Sequence, residues 1–177
     1  MRLLVTRHGE TVWNHENKVL GRTDIPLNEK GLEQARVLAE TLKQYNIDCI
    51  FSSPLKRAMQ TAEAVRIKQG EGCSLIAELQ LIEQDYGSFE GADRYSEAYQ
   101  QEKRRYFSRY SGGESFLDVA ARVYPFLEKL AALKAESCLI VSHNGICRMI
   151  NSYFNEMNNE EFVSFSLNNC EVMEFNI

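Results

Sequence analysis

Two apolar runs in this chain each end on a histidine and open into a glycine-containing turn, and this limits its possible folds more than any other feature. The first run reads Leu3-Leu4-Val5-Thr6-Arg7-His8-Gly9-Glu10-Thr11 and the second Cys138-Leu139-Ile140-Val141-Ser142-His143-Asn144-Gly145. A short apolar run bounded by a Gly turn and followed by a helix-period segment is the pattern of a buried parallel strand. Side chains just past the carboxyl ends of such strands meet in one crevice, where open α/β sheets bind ligands. Two imidazoles and an arginine in one crevice point to chemistry on an anion, with phosphate the first candidate.

The rest of the chain keeps the alternation. Residues 2–6 read as the first strand. Asn28 then caps a helix whose apolar stripe is Leu32, Ala35, Leu38, Ala39 and Leu42. Ile47–Phe51 reads as a second strand, after which Ser53 and Pro54 supply the N-cap and first position of a second helix. A weak third strand lies near Ser74-Leu75-Ile76. Ser115, with Asp118 three residues on, begins a helix carrying Phe116, Val119, Val123, Phe126, Leu127 and Leu130, with a kink expected at Pro125. The runs Glu161–Ser166 and Cys170–Ile177 read as β-like and predict an edge hairpin turning at Asn168-Asn169. Strands alternating with helices predict an α/β fold, a three-layer α/β/α sandwich around a mostly parallel sheet. Residues 83–113 interrupt the pattern with a Gly-punctuated loop and a charged, aromatic segment read as helical over Tyr95–Tyr110. Without repeats or Pro/Gly/Ser linkers, residues 1–177 read as one domain.

Composition narrows the partners. An apolar content of 44% and charged content of 25% over 177 residues suit a soluble domain with a full core. No stretch approaches a membrane span, and no signal-peptide pattern opens the chain. The formal net charge of −5 argues against broad nucleic-acid binding, so an anion site must be built locally. Five cysteines without a CxxC pair read as buried reduced thiols, which predicts a cytoplasmic protein without structural zinc. The exposed last strand leaves room for a homodimer.

Arg57 falls in the first turn of the second helix, where a cation opposes the helix dipole. That placement makes sense if an anion sits between the helix N-terminus and the guanidinium, although a solvated surface arginine is the plain alternative. Each histidine alone also has a plain reading, a hydrogen-bonded structural residue. Together, Arg7, His8, Arg57 and His143 all fall at carboxyl ends of expected parallel strands. Metal binding by the two histidines lacks a third ligand and faces two arginines.

These residues also match a family. Arg7-His8-Gly9-Glu10-Thr11 with Trp13-Asn14 resembles the signature of the histidine phosphatase superfamily, in its phosphoglycerate mutase-like branch. Further matches follow in order: Gly21-Arg22-Thr23-Asp24, Ser52-Ser53-Pro54-Leu55 with Arg57, Glu83 with Gly87 and Glu90-Gly91, Gly112-Gly113-Glu114-Ser115, and Val141-Ser142-His143. The resemblance implies that His8 takes the phosphoryl group as a phosphohistidine, while Arg7, Arg57 and His143 grip its equatorial oxygens. It implies that Asn14 and the Gly21 turn line the phosphate pocket, and that Glu83 protonates the leaving oxygen and then activates water. Glu10 and Glu90 stand behind Glu83 as carboxylates. The physics agrees: the nucleophile must be a neutral imidazole whose other N–H is held, for His8 by a carbonyl in the Gly9–Thr11 turn. The chain departs from many relatives at Asn144, where they have Gly. Asn tolerates the turn, and its backbone N–H is expected to face the phosphate.

Within the family, the resemblance implies a metal-independent phosphomonoester phosphatase acting on a small phosphorylated metabolite and needing no cofactor. Sugar phosphates, α-ribazole phosphate, phosphoserine and phosphohistidine all stay open as substrates. A cofactor-dependent phosphoglycerate mutase is the alternative, disfavoured because mutases carry a larger insertion and a closing C-terminal tail. A non-catalytic phosphoanion-binding regulator is the second alternative, disfavoured because both histidines are present. The resemblance implies that residues 83–113 form a substrate-covering cap insertion, in which Tyr86, Phe89, Tyr95, Tyr99, Tyr106, Phe107 and Tyr110, with Lys103, Arg104, Arg105 and Arg109, either bind the leaving group or pack and solvate an amphipathic helix.

Overall fold

In the computed structural model, which describes residues 1–177, the first apolar run is strand β1 (Arg2–Arg7) and the second is β4 (Ser137–Ser142). They lie side by side in parallel, with Arg2 opposite Ser137 and Arg7 opposite Ser142. Their carboxyl ends are therefore level, which brings His8 and His143 to the same edge of the sheet. Strand β2 (Cys49–Ser52) joins the other side of β4, and β3 (Ser74–Ala77) forms one margin. Strand β5 (Val172–Asn176) forms the other margin, antiparallel to β1. The order is β3-β2-β4-β1-β5.

Period-two alternation in the strands sorts their side chains into two cores. Leu3, Val5, Phe51, Cys138 and Ile140 face one layer, packed by helices α5 (Phe116–Ala131) and α6 (Asn144–Phe154). Leu4, Ile50, Leu139 and Val141 face the opposite layer, packed by α2 (Glu29–Leu42) and α3 (Lys56–Gln69). The protein is a three-layer α/β/α sandwich with a mostly parallel five-stranded sheet. The smaller helices are α1 (Val12–His15), α4 (Glu97–Glu102) and α7 (Asn159–Ser164).

Several local expectations hold at the level of single bonds. The Asn28 carboxamide caps α2 by accepting the Gly31 N–H at 2.8 Å, and Ser115 and Asp118 exchange hydrogen bonds at the start of α5. The buried face of α2 carries Gly31 rather than Leu32, which is half exposed, because Gly31 packs against the Gly9-Glu10 backbone. Pro125 lies inside α5, which continues through it as one helix.

Besides Leu32, three expectations are corrected. Ser53 does not cap α3: the helix starts at Lys56, Leu55 is its N-cap, and the Ser53 hydroxyl is taken by His143. The terminal hairpin does not form. Asn158 and Glu161 make a reciprocal cap that starts helix α7, and only the second run becomes a strand, paired to β1 instead. Of the helix expected over Tyr95–Tyr110 only α4 forms, and a single 3₁₀ turn covers Gly87–Phe89. Tyr86, Tyr99 and Tyr110 cluster around Val19, and turns satisfy the rest of that backbone.

Candidate active site

The site lies at the carboxyl ends of β1, β2 and β4. His8 follows β1, Arg57 is the second residue of α3 after β2, and His143 is the extended N-cap residue of α6 after β4. The two imidazole centroids lie 5.0 Å apart with the rings inclined at 61°. Arg57 Nε lies 3.2 Å from His8 Nε2 and 3.2 Å from His143 Nδ1. Its terminal nitrogens are held by the carbonyls of Thr23 at 2.9 Å and Gly21 at 2.6 Å.

These contacts settle the proton positions. His8 Nδ1 lies 2.6 Å from the Gly9 carbonyl oxygen, which can only accept, so Nδ1 carries the proton. Arg57 can only donate, so His8 Nε2 presents a lone pair. By the same logic His143 accepts at Nδ1 and donates from Nε2 to Ser53 Oγ at 2.7 Å. Burial pushes the pKa of both rings well below the ordinary histidine value, and Arg57 and then other neighbouring cationic groups push in the same direction. Both imidazoles are neutral at physiological pH. Burial also lowers the Arg57 pKa, to about 10, which leaves it charged.

Glu83 is buried opposite them. Its carboxylate accepts the N–H of Gln84 at 2.8 Å and of Gly145 at 3.2 Å. Burial raises its pKa, while these two N–H groups and then Arg57 oppose the rise. The Glu83 carbonyl is gripped by Arg122, and Arg122 and Arg22 both pair with Glu114. Gly145 is the glycine this turn needs, because a Cβ there would sit 2.5 Å from Glu83 Oε1. Asn144 is simply the first residue of α6, not one with unusual backbone angles, and its side-chain oxygen accepts the Leu167 N–H at 2.8 Å.

A cavity of about 280 Å³ opens on this group, and Arg7, His8, Asn14, Glu83 and Asn144 line it. Arg57 and His143 are wholly buried behind His8. Gly21 lies outside that lining; its carbonyl anchors Arg57, and a Cβ there would collide with Glu90 and the Gln84 carbonyl. The Asn14 carboxamide oxygen is tied to the Thr11 N–H, and its nitrogen has no acceptor in the protein. Arg7 donates to the Leu167 carbonyl at 2.9 Å and keeps a buried, unpartnered Nε. Glu10 pairs instead with Asn28 and Lys30, and Glu90 binds the Arg22-Thr23 backbone.

Sequence reasoning missed four supports. Thr61 accepts the Gly9 N–H at 3.1 Å, and Asn169 donates to the His8 carbonyl at 2.7 Å. Both reach the His8 turn from segments far away in sequence, so no local pattern names their partners, although Thr61 lies in the family match Gln60-Thr61-Ala62. Arg94 and Arg148 also line the cavity. Arg148 had a signal: it is the one charge in the run Ile146-Cys147-Arg148-Met149-Ile150. In contrast, Arg104, Arg105 and Arg109 are exposed and pair with Glu160, Glu102 and Asp118.

Residues 3–177 match the histidine phosphatase superfamily (branch 1). The chain belongs to this superfamily. It is 32% identical over 178 residues to phosphoserine phosphatase 1 of Hydrogenobacter thermophilus, covering 96% of this chain and 83% of that one. It is 30% identical over 205 residues to a 2,3-bisphosphoglycerate-dependent phosphoglycerate mutase of Treponema denticola, covering 94% and 83%. The fold superimposes on a mycobacterial glucosyl-3-phosphoglycerate phosphatase complexed with VO3 at a TM-score of 0.85 and 26% identity, covering 98% and 91%. Members of this superfamily with both phosphatase and mutase names are thus similar to the chain along most of its length. No helix is long and apolar enough to cross a membrane.

Proposed function

We propose that this histidine phosphatase superfamily member hydrolyses small phosphomonoesters through a phosphohistidine on His8. The observation that carries the reading is the 2.6 Å contact of His8 Nδ1 with the Gly9 carbonyl, which leaves Nε2 unprotonated on a ring that lines the cavity. A nucleophile must present a lone pair held in place, and this contact does both.

In the first half-reaction the His8 Nε2–phosphorus bond forms as the phosphorus–oxygen ester bond breaks. Glu83, with its raised pKa, delivers a proton to the departing alkoxide. Arg7 offers a free Nε–H at the cavity wall, and Asn14 offers an amide nitrogen. Arg57, buried behind His8 with its Nε–H shared between the two ring nitrogens, supplies a fixed positive charge beside the phosphoryl site. Charge spread over the equatorial oxygens meets cations that are already oriented. In the second half-reaction Glu83, now ionised, takes a proton from water as that water attacks phosphorus. The nitrogen–phosphorus bond breaks, and free phosphate leaves with both residues restored.

The test is release of phosphate from para-nitrophenyl phosphate without added metal. His8→Ala is expected to lower turnover roughly 10⁴–10⁶-fold, and acid-labile label trapped on the wild type should be absent from the variant. Undiminished turnover by His8→Ala would refute the reading. Incubation of 3-phosphoglycerate with bisphosphoglycerate separates the mutase: isomerised product without free phosphate would replace the phosphatase reading.

A further inference from the structure

The ladder between β1 and β4 ends at His8, whose N–H donates to the Ser142 carbonyl at 2.9 Å. The next two peptide units leave the sheet and turn at Gly9, the residue type with the greatest backbone freedom. Their orientation matters, because the carbonyl that holds His8 Nδ1 belongs to the second of them. Buried peptide groups need partners, and in this turn side chains supply them in place of a neighbouring strand.

The His8–Gly9 peptide is held at both of its polar groups. Its carbonyl accepts from Asn169 Nδ2 at 2.7 Å, and its N–H donates to Thr61 Oγ1 at 3.1 Å. The Thr61 hydroxyl gives its own proton to the Arg57 carbonyl at 2.8 Å, so toward Gly9 it can only accept. The Gly9–Glu10 peptide is held at its N–H, which donates to Gln34 Oε1 at 2.8 Å. Its carbonyl is thereby turned toward the His8 ring. The three side chains reach in from α2, from α3 and from the turn that precedes β5.

A half-turn of the Gly9–Glu10 peptide would exchange its two polar groups. The Glu10 N–H would then face the ring, Nδ1 would accept it, and the ring proton would reside on Nε2. That tautomer has no lone pair to present to phosphorus, and it sets an Nε2–H against the Nε–H of Arg57. Gln34 opposes the half-turn most directly, because it holds the very N–H that would swing in. Asn169 and Thr61 oppose it from the preceding peptide.

We propose that Gln34, Thr61 and Asn169 are positioning residues that fix the two peptide planes after His8 and so keep its ring in the Nδ1–H tautomer. None of the three lines the cavity, so they act on a substrate only through His8. The proposal rests on the phosphatase reading of His8. Its signature is a loss in kcat, with KM nearly unchanged, that accompanies a change in where the ring proton sits.

The chain has three histidines, one of them the exposed His15, so individual ring nitrogens can be followed by NMR on protein carrying isotopically labelled histidine. Long-range proton–nitrogen correlations separate a protonated ring nitrogen from a bare one, and the His8 signals are those missing from His8→Ala. Wild-type His8 is expected to show a protonated Nδ1 and a bare Nε2. Gln34→Leu and Asn169→Leu change half-buried residues and should fold. Both are expected to move part of the His8 population to the Nε2–H tautomer. Their kcat on para-nitrophenyl phosphate should fall about tenfold, the scale of one lost hydrogen bond. Thr61→Val should do the same, whereas Thr61→Ser keeps the hydroxyl and should restore both the tautomer and turnover. A lower kcat with His8 still wholly in the Nδ1–H form would mark a merely structural role and overturn the proposal. An unchanged tautomer and kcat in Gln34→Leu would overturn it too. If wild type releases no phosphate, the phosphatase reading fails by itself, and the tautomer shift alone decides for or against the positioning role.

Discussion

The Glu83 carboxylate accepts the backbone N–H of Gly145 at 3.2 Å, joining the start of the 83–113 segment to the first turn of the helix that follows the second histidine. One bond thereby sets how far the acid sits from the imidazole pair. It also explains why Asn144 is tolerated. The closely packed glycine is Gly145, one position further on than the chain's departure from many relatives suggested.

Gly145→Ala would place a methyl 2.5 Å from Glu83 Oε1 and push the carboxylate aside. Turnover is expected to fall about 100-fold, as for a misplacement near 1 Å. Steady-state kcat and KM, measured together, check this: the loss should sit in kcat.

Glu83→Gln removes the proton donor while keeping one acceptor for the N–H groups of Gln84 and Gly145. Hydrolysis of an alkyl phosphate is expected to drop about 10²–10⁴-fold, and of para-nitrophenyl phosphate much less, because its leaving phenolate needs little protonation. Burial raises the Glu83 pKa, so the acid form persists above the usual carboxylate range. Wild-type activity on the alkyl ester should decline as pH rises through that raised value. The decline should vanish from the pH profile of the variant.

Acid stability carries its own signature. Burial holds the folded pKa values of His8 and His143 well below the ordinary histidine value of about 6.5. Between the two values the unfolded chain binds more protons than the folded one. Their contribution to stability is therefore complete above pH 6.5 and lost as pH falls below it. Urea unfolding at stepped pH should show this loss, and His143→Gln should show a shallower slope.

Ser53→Ala takes away the acceptor of His143 Nε2–H, which lies 2.7 Å from the hydroxyl in a fully buried setting. A buried donor left unpaired costs about 1–3 kcal/mol. Thermal unfolding should register that loss. Activity should fall as well, because the ring can then turn away from Arg57.

The strand–turn–histidine units, the three-layer architecture and the residues Arg7, His8, Arg57, Glu83 and His143 were legible in the linear chain. Each rests on a local rule: buried strands are continuously apolar, turns need glycine, and family motifs keep residues in order. A carbonyl of the Gly9–Thr11 turn as holder of His8 was expected for the same reason, and the structure assigns it to Gly9. The end of the chain was misread because Phe162, Val163 and Phe165 satisfy a strand as easily as a helix, and packing against the α5–α6 layer chose the helix. Tertiary structure alone brought Thr61 to Gly9, Asn169 to His8, Ser53 to His143, and Arg94 and Arg148 to one wall with Lys103. Those decisions depend on which segments share space after the sheet assembles. A hydroxyl, an amide or an unpaired charge has no periodicity by which the sequence can announce its partner.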